Sequence, residues 1–160
     1  MVDFSHLKNN EYWRLIQTGL CHTNSLTRKR ALYLLKRTVD YFQTRQRNIE
    51  ALIHSDDLSA KMCLFDISGR HHVNQWHVYF MFIEILEETS VHVIKPVLGK
   101  ADALIEAVQQ NQMHYSWLLV LFQRGFLHES KFIVRWLLLK FLQSNLHLLG
   151  GEVSNMFISN

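Results

Sequence analysis

Six basic side chains occur close together in the first third of the chain, where they could bind phosphate groups. Four fall within one amphipathic segment and two come just after it: Lys29, Arg30, Lys36, Arg37, Arg45 and Arg47. Lysine and arginine neutralise phosphates and release counterions, which gives salt-sensitive binding of nucleic acid without choice of sequence. Tyr33 and Tyr41 flank this set, and each ring could stack on an exposed base or pack at the core edge. The same pattern is compatible with a plain solvated helix face.

The charge of the whole chain is unevenly distributed. Residues 1–47 hold nine basic and three acidic residues, whereas the rest of the sequence holds eight basic and eleven acidic ones. The net charge is only +3. Such an asymmetry favours an anionic partner for the first part of the chain.

The ten histidines do not predict a metal site. They are dispersed, and only His71, His72 and His77 come close together in the sequence. His72 and His77 are five residues apart, which places them off a common helical face, and no carboxylate pair or cysteine completes a ligand set. We therefore expect these three to be structural or surface residues. A small histidine-dependent metalloenzyme remains a remote alternative.

Nucleophilic catalysis is also not indicated. Cys21 stands beside His22, but adjacency in sequence does not create the geometry of a nucleophile and its base. We expect His22 and His128, which hold equivalent places after a glycine, to form a turn hydrogen bond or to pack, and not to act in catalysis. Glu84, Glu87 and Glu88 are expected to form a solvated face. The sequence has no Walker A loop, HExxH, Cys-x-x-Cys or Gly-x-Ser-x-Gly motif, so we predict no catalytic, cofactor-binding or metal-binding residues.

Composition indicates a compartment as well as a fold class. Two cysteines, Cys21 and Cys63, are too few for a disulfide framework and are expected to be free thiols. Asp3 and Lys8 stand where the apolar part of a signal peptide would lie. The longest uncharged apolar-rich stretch, 113–123, is too short to cross a membrane. We expect a cytoplasmic or nuclear protein without a membrane partner.

These side chains must be positioned by helices, because the chain has only six glycines and one proline. Apolar periodicity predicts helices over about 10–18, 25–43, 73–88, 91–110, 113–124 and 129–146. Gly19 is expected to end the first helix in the left-handed conformation, and Pro96 to lie in or near the first turn of the fourth. The second helix has one apolar side and one basic side. Arg28 leans over the apolar side, where it is expected to tie one helical pair to the next.

One pattern of residues occurs twice along the chain and suggests its architecture. Trp13, Gly19 and His22 precede the second helix, and Trp117, Gly125 and His128 precede the sixth. Three antiparallel pairs follow, about 10–43, 73–110 and 114–149, with an insertion at 44–72, all within one domain of residues 1–160. Allowing for an insertion of roughly 20 residues, the spacing of the leading tryptophans approaches the roughly 40–47 residues of HEAT or armadillo units. We predict an all-α, HEAT/armadillo-like solenoid, with a compact six-helix bundle as the alternative.

Several segments resemble a known family. Trp13 to Leu20 followed by the run from Ser25 to Arg37, with 74–76, 90–98 and 128–136 downstream, is similar to the N-terminal helical-repeat region of a large eukaryotic enzyme. That enzyme is the TAR-RNA-binding-protein-like tRNA (guanosine-2′-O-)-methyltransferase of the SpoU/TrmH group. The resemblance spans roughly residues 10–149, and the Arg-Lys-Arg-Ala-Leu run at 28–32 is its most distinctive part.

The resemblance implies a function without implying catalysis by these residues. Methyl transfer from S-adenosylmethionine belongs, in that family, to a C-terminal knotted α/β domain, and no part of this sequence resembles that domain. We expect a non-catalytic, cofactor-free helical arm that contributes binding of tRNA or other RNA. The alternative is a HEAT-type scaffold that binds neighbouring helical repeats or a protein partner and has no role with RNA.

Overall fold

The computed structural model describes residues 10–44, 73–110 and 112–144, and the regular structure in these ranges is entirely α-helical. The predicted insertion at 44–72, apart from Thr44, lies outside the described residues. Within the described ranges, no helix is both long enough and apolar enough to span a bilayer. The seven helices of these ranges are α1 (Asn10–Leu20), α2 (Ser25–Thr44), α3 (Val73–Ile85), α4 (Val91–Leu98), α5 (Ala101–Gln109), α6 (Tyr115–Phe126) and α7 (Lys131–Gln143).

The first two helices form the antiparallel pair that the apolar pattern predicts. Trp13, Ile16 and Leu20 bury one side of α1 at helical spacing. Facing them, α2 buries residues one turn apart, so the two stripes meet in one core and the basic positions of α2 point elsewhere. The buried residues of α2 are Ala31, Leu35, Thr38 and Val39.

Two glycines set how closely the helices of a pair approach. Gly19 lies inside α1 and is buried, so the predicted left-handed ending at this residue is wrong. A Cβ at Gly19 would lie 2.7 Å from the Cβ of Ala31 on α2, so only glycine admits this approach. A Cβ at Gly125 on α6 would instead meet the Cδ1 of Leu137 on α7, which is the flexible end of that side chain.

The predicted fourth helix is two helices. α4 ends at Leu98, and α5 begins at Ala101 after the turn residues Gly99 and Lys100. Pro96 lies in the second turn of α4 and cannot donate a backbone hydrogen bond, and Gly99 has a low helix propensity. The Lys100 N–H bonds to the Val97 carbonyl at 3.0 Å, which tightens the turn.

The third helix is also shorter than predicted. α3 stops at Ile85, and Leu86 and Glu87 form a turn in which the Glu87 N–H bonds to the Glu84 carbonyl. This turn places Glu87 beside α2 rather than along the axis of α3.

α6 is the central helix of the described chain. It contacts α1, α3, α5 and α7, and its residues Trp117 to Phe122 are all buried. The Trp117 ring packs edge-to-face on Trp13 at 6.2 Å and on Trp76 at 5.4 Å between ring centroids. The Tyr79 hydroxyl donates to the Trp117 carbonyl at 2.8 Å. The three predicted pairs therefore share one aromatic cluster, and the first pair touches the last directly.

The structure also defines the register of the repeat. Gly19 and Ala31 are twelve residues apart, as are Gly125 and Leu137, and in each pair the glycine faces the side chain of its partner. The first and last pairs are therefore related by a shift of 106 residues. Because Trp13 precedes its glycine by six residues and Trp117 by eight, the two tryptophans are not equivalent positions, although they join the same cluster.

Candidate nucleic-acid interface

The turn before α2 fixes where this helix begins. The Asn24 side-chain oxygen accepts from the N–H groups of Leu26 at 2.9 Å and Thr27 at 3.2 Å, which caps the helix. His22 Nδ1 accepts from the Asn24 N–H at 2.9 Å. In the last pair His128 Nδ1 accepts from the Ser130 N–H at 3.0 Å. The predicted turn hydrogen bonds of both histidines are thus confirmed.

Arg28 joins the start of α2 to the end of α3. Its guanidinium donates to both carboxylate oxygens of Glu87, at 2.6 and 2.9 Å. It also donates to the carbonyls of His22 and Thr23, at 2.8 and 2.9 Å. This confirms the prediction that Arg28 ties one helical pair to the next.

Glu87 also faces a second arginine, which lies in the core. Arg124 on α6 is buried, and its guanidinium is 3.5 Å from the Glu87 carboxylate and donates to the Leu86 carbonyl at 3.1 Å. The hydrogen bond from Arg28 is the main cause that lowers the pKa of Glu87, and the Arg124 charge acts in the same direction. Glu84, Glu87 and Glu88 are all exposed, as predicted for a solvated face, but Glu84 and Glu87 also pair with cations of α2.

Cys21 is a structural thiol. It lies in the turn between α1 and α2, and its Sγ donates to the Val120 carbonyl of α6 at 3.3 Å. Burial raises its pKa to about 12, against the opposing charge of Arg124. A thiol that remains protonated at neutral pH is a poor nucleophile, in keeping with the sequence prediction.

The structure places the four predicted basic residues of α2 in two environments. Lys29, Arg30 and Arg37 are exposed to solvent. Lys36 pairs with Glu84 of α3, and its ammonium lies 5.7 Å from the centre of the Phe80 ring. Arg45 and Arg47 lie outside the described residues.

The two tyrosines beside the basic residues also differ. The Tyr33 side chain is 61% exposed, and it stands one helical turn from both Lys29 and Arg37. Tyr41 is half-buried and packs against the core. Of the two stacking candidates, only Tyr33 offers an open ring face, so the surface defined by Lys29, Arg30, Tyr33 and Arg37 is called the basic face below.

The basic face is a short row of exposed cations beside one tyrosine ring. Lys29, Tyr33 and Arg37 span two helical turns, about 12 Å along the helix axis. Within the parts of the chain that the structure describes, no three His, Cys, Asp or Glu side chains gather as metal ligands would. His77 is exposed, and His71 and His72 lie outside the described residues.

Sequence reasoning missed the acidic partners of α2 and the buried Arg124. The sequence did contain a signal for the acidic partners. Glu84 and Glu87 are three residues apart in the mostly apolar helix predicted over 73–88, so they would share one edge of it. Arg124 gave no signal of its own. A single arginine at the end of an apolar segment is also typical of an exposed helix terminus.

Comparisons with known proteins agree on one family. The model of the TARBP1 domain matches residues 12–148. The chain is 30% identical over 140 residues to the mouse (Mus musculus) protein tRNA (guanosine(18)-2′-O)-methyltransferase TARBP1. That alignment covers 82% of this chain but only 9% of the relative, so the chain corresponds to a small part of the longer protein. No solved structure matches the chain.

Proposed function

Because this chain belongs to the TARBP1 domain family, we propose that it is a non-catalytic helical segment that contributes tRNA binding to a tRNA 2′-O-ribose methyltransferase. The relative it matches is named for methylation of a guanosine in tRNA. The observation that supports an RNA contact is the basic face of α2, where three cations flank an open tyrosine ring. Cations contact the phosphates and the ring stacks on an unpaired base.

Lys36 contributes less to this binding than its sequence position suggests. Its ammonium already pairs with Glu84, so a phosphate must compete with a carboxylate for it. Lys29, Arg30 and Arg37 form no ion pair with any described residue and bind without that competition. Of the six basic residues predicted from the sequence, these three are the main contacts, and Lys36 contributes less. Arg45 and Arg47 remain proposed contacts without a described position.

Fluorescence anisotropy with a labelled tRNA transcript tests this proposal. The triple variant Lys29→Glu, Arg30→Glu, Arg37→Glu is expected to weaken binding at least tenfold near 0.1 M salt. It should also reduce the slope of log affinity against log salt by about two, since each lost phosphate contact removes roughly 0.7–0.9. Tyr33→Ala should weaken binding to single-stranded loops, and Lys36→Ala should have a smaller effect than Lys29→Ala.

A matched control keeps the same change in net charge. Lys100→Glu, Lys131→Glu, Arg135→Glu reverses three exposed cations on the turn after α4 and on α7. This control should retain most of the tRNA affinity. If both triple variants lose affinity equally, the basic face is not a specific surface, and if neither does, the RNA proposal is wrong.

The repeat class and domain organisation are part of the same proposal. A HEAT/armadillo-like segment of about three helical pairs in one domain is supported by the shared geometry of the first and last pairs. The direct contact between Trp13 and Trp117 makes the segment more compact than a linear stack of neighbours. The proposed location is the cytoplasm or nucleus, where tRNA is processed.

Methyl transfer is proposed to need parts of the relative that this chain does not match. S-adenosylmethionine would bind there and not to these 160 residues. Incubation of the purified chain with tRNA and tritiated S-adenosylmethionine should leave the tRNA unlabelled. Transfer of methyl groups to tRNA by the purified chain would overturn this part of the proposal.

A protein-binding scaffold is the second candidate. The observation that favours it is a row of exposed leucines on α7, far in sequence from the basic face. Failure of tRNA to bind together with capture of a helical partner by α7 would favour this alternative.

A further inference from the structure

The first and last helical pairs are equivalent, so a surface used in one can be located in the other. The shift of 106 residues relates the facing residues Gly19 and Ala31 to Gly125 and Leu137. The same shift carries the capping Asn24 to Ser130, whose Oγ accepts from the Ile133 N–H. It also carries the turn hydrogen bond of His22 to that of His128. α2 and α7 are therefore equivalent helices in the same register.

In the first pair, one side of α2 is covered by α3. Arg28 pairs with Glu87 and Lys36 with Glu84, at either end of this contact. Leu32 lies between them, half-buried, and lines a groove of about 380 Å³ together with Ile83 of α3. An apolar centre with carboxylates supplied by α3 and by the turn after it thus defines this contact of α2.

The equivalent side of α7 is largely exposed, apart from the half-buried Val134. Arg28, Leu32 and Lys36 correspond to Val134, Leu138 and Leu142. Leu138 is 45% exposed and Leu142 50% exposed, and Leu139 beside them is 59% exposed. These leucines lie on one side of α7, away from its buried residues Ile133, Leu137 and Phe141, so α7 presents an apolar stripe where α2 meets its neighbour.

The charges beside this stripe indicate what could cover it. Lys131 and Arg135 are exposed on the same side of α7 and form no ion pair with any described residue. α7 holds three basic residues and no acidic one, and the third, Lys140, already pairs with Asp102 at 2.7 Å. Two copies packed through this side would bring like charges together, which disfavours a symmetric dimer.

We propose that the outer side of α7, defined by Leu138, Leu139 and Leu142 with Lys131 and Arg135, is a docking surface for an amphipathic helix bearing carboxylates beside its apolar stripe. The helix lies across α7 as α3 lies across α2. Its leucine-type side chains cover the three leucines, and its carboxylates pair with Arg135 and Lys131. This mode is the helix-in-groove class of recognition, with apolar anchors and a charged rim.

Two designed peptides test the proposal directly. Both are fluorescein-labelled 21-residue helices with the same leucine stripe, one with glutamates and one with lysines at the flanking positions. In fluorescence anisotropy, the glutamate peptide should bind the chain at least fivefold more tightly than the lysine peptide. The double variant Leu138→Ser, Leu142→Ser should weaken the glutamate peptide at least tenfold.

Control variants distinguish binding at this surface from nonspecific hydrophobic binding. Leu15→Ser, Leu34→Ser removes two other exposed leucines, on α1 and α2, and should leave peptide affinity unchanged. Lys131→Glu, Arg135→Glu keeps the stripe but should invert the preference between the two peptides, which a variant that merely unfolds cannot do. Circular dichroism confirms that each variant retains its helices.

Three outcomes would overturn the proposal. The first is equal affinity for both peptides. The second is insensitivity to Leu138→Ser, Leu142→Ser. The third is a dimer in light scattering that this double variant dissociates, which would make a second copy of the chain the occupant.

Discussion

Glu87 is the residue on which three parts of the molecule meet. Its carboxylate accepts from Arg28 of α2 and faces the buried Arg124 of α6, and it belongs to the turn after α3. A single carboxylate therefore offsets two cations, one of which is buried. Removing this carboxylate leaves Arg124 with a carbonyl partner but without a counter-charge.

We expect Glu87→Gln to lower the free energy of unfolding by about 1–2 kcal/mol, since water reaches part of the carboxylate and screens the pair. Urea denaturation at pH 7 measures this. Glu88→Gln, which changes a neighbouring exposed glutamate, is the control and should have little effect. Equal stability of Glu87→Gln and the wild type would show that the cluster contributes nothing.

The lowered pKa of Glu87 predicts how this contribution depends on pH. The folded state binds the Glu87 proton less tightly than the unfolded state does, so the stabilisation is fully present above the ordinary value of 4.5. It is lost as the pH falls through the lowered folded-state pKa. Melting curves between pH 7 and pH 2.5 should therefore show the wild type and Glu87→Gln converging in acid. A constant difference across this range would contradict the assignment.

Cys21 should be chemically inert in the folded chain. Its pKa of about 12 and its bond to the Val120 carbonyl keep it protonated and shielded. In a Cys63→Ser background, Ellman's reagent at pH 8 should react with the native chain at least tenfold more slowly than with the chain in 6 M guanidinium. Rapid native reaction would show that the turn opens readily.

At the scale of helices, glycine positions decide how each pair packs. Gly19 permits the close contact with Ala31, because a Cβ added at residue 19 could move away from the Ala31 Cβ only if one helix moved. Gly99 is the natural comparison, because it has helical angles (φ −61°, ψ −21°) and nothing lies within 4 Å of an added Cβ.

Gly19→Ala should destabilise the chain by about 1–3 kcal/mol through overpacking. Gly99→Ala should instead stabilise it by about 0.4–1 kcal/mol, because it restricts the unfolded chain without strain. Thermal unfolding of both variants gives the comparison. Ala31→Gly should rescue Gly19→Ala, and failure of that rescue would place the clash elsewhere.

The sequence predicted most elements of this fold for identifiable reasons. Apolar periodicity located α1 and α2, and the equivalent places of His22 and His128 after Gly19 and Gly125 marked equivalent turns. The break at Gly99 was missed because Pro96 and Gly99 lie in a segment whose apolar spacing continues on both sides. The pairing of Lys36 with Glu84 was missed because it depends on how α3 lies against α2, which local sequence does not encode.

Local sequence also does not show which cations of α2 are paired by another helix. Sequence periodicity put Lys29, Arg30, Lys36 and Arg37 on one side of α2 correctly. It could not distinguish Lys36, which another helix neutralises, from the three that remain open to solvent.

At the scale of the whole molecule, α6 holds the assembly together. Trp117 contacts aromatic rings from both other pairs, and it is fully buried. Trp117→Leu should lower the free energy of unfolding by about 3 kcal/mol or more, because the lost ring area joins elements distant in sequence. Trp136→Leu on α7, which is half-buried, should cost less. Urea titration measures the free energy of unfolding of both variants. Equal losses for Trp117→Leu and Trp136→Leu would contradict the central role of α6.

The tryptophan cluster also gives the molecule an optical signature. Trp13, Trp76 and Trp117 come from segments separated by 63 and 41 residues, yet the centroids of neighbouring indoles are about 6 Å apart or less. At that separation their electronic transitions couple, so the near-ultraviolet circular dichroism depends on all three being in place. A partly assembled chain with its helices intact would lack this coupled signal, which makes the cluster an internal gauge of assembly that needs no added label.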